Sequence, residues 1–112
     1  ELWIVPRQHR HDLRDLGEPE RLDLAERLPE TLRKLNDTLV NPPFNLLVRT
    51  APTPNHHSER PSYLEDLSEH FHWYLEVIPR IKRTAGLELA TETHINTIAP
   101  ETAAQTLRNG TA

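Results

Sequence analysis

The run His70-Phe71-His72-Trp73-Tyr74-Leu75-Glu76-Val77-Ile78, closed by Pro79, alternates in character with a period of two. Side chains along a strand point to opposite faces in turn, so the run predicts a strand with Phe71, Trp73, Leu75 and Val77 in a core. His70, His72, Tyr74 and Glu76 take the other face. Such alternation is the mark of an antiparallel sheet with one buried side, and that side needs an apolar cover. The cover is at hand from Pro19 onward, where Leu22, Ala25, Leu28, Leu32, Leu35 and Leu39 recur at steps of three or four and predict an amphipathic helix. Pro19 suits the first turn of that helix. Pro29 interrupts the pattern and predicts a kink or two consecutive helices, because proline removes an amide donor and crowds the preceding turn.

The rest of the chain divides at its prolines, glycines and polar stretches. Residues 2–5 form a short apolar run stopped by Pro6 and read as a strand, and polar residues 7–17 read as a loop. Asn41-Pro42-Pro43 ends the helix, residues 44–50 read as the next strand, and residues 51–61 as a loop between paired strands. Leu87-Glu88-Leu89 and residues 93–96 read as loop or short strand. Residues 100–108 form a last helix, entered through Pro100 and left through Asn109-Gly110. The predicted fold class is α+β, an antiparallel sheet with flanking helices, in a single domain over residues 1–112.

Charge and composition narrow the functions. With 13 Lys and Arg against 17 Asp and Glu, the chain has a formal charge of -4 and no basic stripe for a run of phosphates, so nucleic acid is not an expected partner. No apolar stretch approaches the roughly 18 residues of a membrane span, and no signal peptide is visible. A soluble, cytoplasmic protein is the expectation, and the absence of cysteine fits a reducing compartment. A chain that opens on Glu1 with a strand already under way reads as a piece of a longer protein.

The chemistry-bearing residues gather around the alternating strand. His70, His72 and Glu76 are candidate metal ligands by residue type, with His57 in the preceding loop as an outside donor. A solvated polar sheet face is the ordinary role for such residues. Three ligands spaced along one strand converge poorly on a single ion, so no tightly bound metal is expected in this chain. His9 and His11 sit in a polar loop and read as solvated. Arg80, Lys82 and Arg83 form a small basic cluster after the strand, able to meet a phosphate or to remain a charged turn. No nucleophile with a base beside it is present.

Several motifs together resemble the C-terminal half of galactose-1-phosphate uridylyltransferases, which are histidine-triad-like enzymes. They are Trp3-Ile4-Val5-Pro6 followed by His9, Pro42-Pro43-Phe44-Asn45 before Thr50-Ala51-Pro52, and His72-Trp73-Tyr74-Leu75-Glu76-Val77-Ile78-Pro79-Arg80. Ala85-Gly86-Leu87-Glu88, Ile95-Asn96 and Pro100-Glu101 with Ala103-Ala104 extend the similarity over nearly the whole chain. The resemblance implies a histidine-triad-like fold and a two-domain nucleotidyltransferase. Such an enzyme exchanges uridylyl groups between UDP-glucose and a hexose 1-phosphate through a uridylyl-histidine intermediate.

It further implies a substrate-binding, dimer-forming role for this half, beside an N-terminal half that carries the nucleophile's His-Pro-His motif. No His-Pro-His occurs here, so the isolated chain is expected to be inactive. Arg80, Glu88, Thr91 and Asn96 are the substrate-binding candidates it points to, for a UDP-sugar or hexose 1-phosphate. Zinc or iron is implied for the full-length protein, as a second, structural metal. Two of that metal's ligand positions in metal-bearing relatives hold Arg49 and Tyr74 here, and the family's Gly-Thr-Gly is Ala90-Thr91-Glu92. A catalytically silent histidine-triad-like module for assembly or ligand binding is the alternative.

Overall fold

The structure is a computed structural model that describes residues 1–52 and 66–110. Three strands, β1 (Leu2–Ile4), β2 (Phe44–Arg49) and β3 (Tyr74–Pro79), form an antiparallel sheet in the order β1-β3-β2. Among the described residues four α-helices accompany them: α1 (Glu18–Leu39), α2 (Leu67–His70), α3 (Gly86–Thr91) and α4 (Pro100–Asn109). The chain divides into two compact units, residues 1–28 with 45–78 and residues 29–44 with 79–112.

In the first unit β1 pairs with β3 so that Leu2 faces Val77, Trp3 faces Glu76 and Ile4 faces Leu75. This register puts the apolar members of both strands on one side, as the alternation required. Trp73, Leu75 and Val77 are buried, and Leu16, Trp73 and Leu75 form a core against which Ile4, Leu13, Leu24, Leu28 and Phe71 pack. The strand is shorter than its sequence pattern. His70 closes α2 instead of opening β3, because the Asp66 carbonyl accepts from the Glu69 and His70 amides and the Leu67 carbonyl accepts from Phe71. These local bonds capture the backbone before the sheet does, and the Trp73 amide donates to Arg10 in the 7–17 segment.

That segment is anchored by Asp12, which caps a 3-10 turn at Leu13–Asp15. Its carboxylate accepts from the Arg14 amide at 2.8 Å and from the Arg14 guanidinium at 2.6 Å. The Arg14 side chain and amide together hold the Asp12 carboxyl down to about 2.

Gly17 precedes helix α1 and its amide donates to Glu20 Oε2 at 2.9 Å, with Glu18 and Glu20 favourably placed at the positive end of the helix dipole. It continues through Pro29 as one helix, where two helices were a possible outcome. Pro29 and Ala25 are both exposed, so the carbonyl that loses its donor faces water. The covered face also begins elsewhere than expected: Leu22 and Ala25 are exposed, and Leu24, Leu28, Leu35 and Thr38 face inward.

In the second unit the Arg80 amide donates to the Pro43 carbonyl at 2.7 Å, joining the end of β3 to the start of β2 as antiparallel neighbours require. Leu87-Glu88-Leu89 is helical and lies within α3, where loop or short strand was expected. Its alternating leucines are both exposed, so they carried no strand signal. Helix α4 ends at Gly110 with φ +66°, as the Asn-Gly pair predicted. No helix among the described residues is long and apolar enough to cross a membrane.

Candidate functional site

Two polar clusters carry the residues singled out from sequence, one in each unit. In the first unit the face of β3 opposite the core presents Tyr74 and Glu76. Glu76 is buried, and its Oε2 accepts from Arg49 Nε on β2 at 2.7 Å. The Glu76 carboxylate raises the pKa of Arg49 further above its ordinary value. Tyr74 stacks on Trp3 of β1 with ring centroids 4.5 Å apart, and the Trp3 indole N–H donates to Glu1 at 2.6 Å.

His72 Nε2 lies 2.8 Å from the Pro6 carbonyl. A carbonyl only accepts, so Nε2 carries the proton and Nδ1 alone is left to act as a base or ligand. His9 packs edge-on against His72, centroids 5.4 Å apart, and its own Nε2 donates to the Ser68 carbonyl at 3.0 Å. His9 is exposed and lies in a loop, as the sequence predicted, but its two contacts were not foreseen. Its neighbours are 59 and more residues away in the chain, and nothing local announces them.

The donor set does not fit the structural metal that the family resemblance implies. His70 is exposed at the end of α2, His72 is turned to a carbonyl, and Glu76 is engaged by a guanidinium. His57 lies outside the described residues. No group of three or more potential ligands converges among the described residues. The misfit is one of chemistry, since Arg49 offers no lone pair and brings a permanent positive charge to the place a cation would take.

In the second unit the organising group is Glu88. Its side chain is 5% exposed, with Oε1 2.7 Å from Lys82 Nζ and 2.9 Å from the Ile95 amide, and Oε2 3.1 Å from the Ala85 amide. The last contact is half of a capping box, which fixes the first turn of α3. Lys82 and the two amides hold the Glu88 carboxyl down to about 2. Lys82 also donates to the Ile95 carbonyl, so the two ends of the 82–95 segment are fastened together.

The other three candidates border this hub. Thr91 Oγ1 donates to the Leu87 carbonyl at 2.8 Å, and Asn96 Oδ1 accepts from the Ile98 amide at 3.4 Å. Arg80 is exposed, and its guanidinium has no hydrogen bond or ion pair among the described residues. Glu92 takes the left-handed conformation at φ 55° where the family's pattern has glycine.

Among curated proteins the chain is 30% identical over 108 residues to ADP-glucose phosphorylase of Arabidopsis thaliana, across 96% of this chain and 28% of that protein. Its fold superposes on the crystal structure of an Arabidopsis thaliana ADP-glucose phosphorylase with bound ADP-glucose, at a TM-score of 0.78 and 28% identity. That match covers 95% of this chain and 32% of the other. The X-ray structure of a GalT-like protein from the same plant gives the same TM-score and identity over 95% of this chain and 33% of that one. The chain thus spans about a third or less of the length of the relatives it matches. No family model matches it.

Proposed function

The chain belongs to the galactose-1-phosphate uridylyltransferase-like family as a relative of its C-terminal half, and from that premise we propose that it is the sugar-nucleotide-binding part of a nucleotidyl-transfer enzyme. Two of the three relatives named above are called after ADP-glucose, so ADP-glucose takes precedence over the UDP-sugar that motif similarity alone suggested. The N-terminal half of the same enzyme and a second copy of the chain are its proposed partners.

The supporting observation is the Glu88 hub. A carboxylate that satisfies two amides and Lys82 serves to hold the 82–95 segment in one conformation. Arg80, next to that segment, keeps a guanidinium free for a diphosphate or a hexose phosphate. Thr91 and Asn96 border the same segment and supply hydroxyl and amide groups for sugar hydroxyls. In this division of labour Arg80 binds charge, Thr91 and Asn96 orient the sugar, and Glu88 fixes the frame. The chain holds no His-Pro-His, so the nucleotidyl-accepting histidine comes from elsewhere in the enzyme and the isolated chain does not turn over.

Calorimetric titration with ADP-glucose, UDP-glucose and glucose 1-phosphate tests this. ADP-glucose should bind, and Arg80→Ala should weaken it by about 1.5–3 kcal/mol, or roughly ten- to a hundredfold, the usual loss of a charged hydrogen bond. Binding of none of the three, by the chain alone and by the full-length enzyme, would leave the silent-module alternative standing.

A further inference from the structure

The ligand positions that the family resemblance assigns to a structural metal are filled here in a patterned way. Arg49 on β2 reaches Glu76 on β3 at 2.7 Å, with the Glu76 side chain 9% exposed. Tyr74 on β3 stacks against Trp3 on β1, and Trp3 is held in turn by Glu1. On this face an ion pair joins β2 to β3 and stacked rings join β3 to β1, and the positive charge in the ion pair is part of the polypeptide.

We propose that the Arg49 guanidinium replaces the structural metal in this chain, as a tethered cation that neutralises Glu76 and clasps β2 to β3. A guanidinium suits this role because it stays protonated at any pH the fold survives and cannot be chelated or exchanged. It also excludes a second occupant, since a divalent ion a few ångströms from a fixed positive charge is repelled while Glu76, its best anionic ligand, is already committed. Glu1 adds a smaller favourable interaction with the same guanidinium. The clasp is independent of which nucleotide the chain takes.

Thermal melting of the full chain with and without EDTA, and with added zinc or ferrous iron, decides it. The wild-type melting temperature should be the same in every condition, because an ion with no site on the native state gives no stabilisation by mass action. Arg49→Met should lower it, with no recovery on adding metal. Arg49→His combined with Tyr74→His places two imidazoles near His72 and Glu76, and this double variant should gain a zinc-dependent rise that the wild type lacks.

If Arg49→Met does not fold, Arg49→Lys retains the charge without the planar fork and should melt below wild type, while the EDTA comparison on the wild type stands by itself. A stoichiometric zinc or iron in the wild type, lost on replacing His72 and His57, would overturn the proposal. So would an Arg49→Met that melts like wild type, or a double variant indifferent to zinc.

Discussion

Trp73 is 2% exposed and lies in the core cluster of the first unit with Leu16 and Leu75, so its removal leaves a hole that the neighbours fill only in part. Trp73→Ala should cost about 3–5 kcal/mol in chemical denaturation, and a loss under about 1 kcal/mol would place the ring at the surface. Trp73→Phe should cost much less, because the indole N–H is buried with no hydrogen-bond partner among the described residues, and phenylalanine removes that donor while keeping most of the packing. The burial of Trp73 was legible from alternation alone, which fixes faces by period. That of Glu76 was not, since a carboxylate enters a protein only with a partner, and Arg49 stands 27 residues earlier on another strand. Nor were the contacts of the exposed His9 with His72 and Ser68 legible, because they depend on how the 7–17 segment returns to β3.

Elements were legible where the pattern was long and one-sided, and illegible where short local hydrogen bonds competed with it. Helix α1 and strand β3 follow from periodicity and strands β1 and β2 from short runs bounded by proline, whereas α2 captured His70 through Asp66 and α3 formed around Glu88, a residue whose partners lie at both ends of its own loop. The inward stripe of α1 was displaced at its start because leucines at 22, 24 and 28 support two phases, and only packing chooses between them. The end of α1 yields a prediction. The Asn41 amide donates to the Asn36 carbonyl at 2.9 Å, a six-to-one closure of the Schellman type, and Val40 occupies the left-handed position at φ 56°. A β-branched residue there costs roughly 1–2 kcal/mol, and Val40 is 87% exposed, so it recovers little by packing. Glycine forfeits about 0.5–1 kcal/mol in unfolded-state entropy, so Val40→Gly should stabilise by roughly 0.5–1 kcal/mol net. A shift of the denaturation midpoint to lower denaturant would show that the strain is not there.

Across the whole molecule, each compact unit holds a buried carboxylate that its partners keep ionised and that fastens a segment of the chain. Asp12 fastens the 7–17 segment of the first unit through Arg14, and Glu88 fastens the 82–95 segment of the second through Lys82 and two amides. Both titrate in the folded chain at about 2, against ordinary values of 3.8 and 4.5. The sign follows from proton counting. Between the two sets of values the unfolded chain binds protons that the folded chain refuses, so acid favours unfolding there. The contribution of both groups is complete above the unfolded values and disappears as the pH falls through the folded ones. Melting temperature should therefore be flat with respect to these two groups from neutrality down to about pH 5, then fall progressively towards about pH 2. Asp12→Asn and Glu88→Gln remove the charge at every pH, so each should lower the melting temperature at pH 7 and flatten part of the acid slope. The double variant should flatten more than either alone, because the two groups fasten different segments and share no partner. A wild type that melts identically at pH 7 and pH 3, or variants that keep the full acid slope, would mean that these two carboxylates do not anchor the segments they contact.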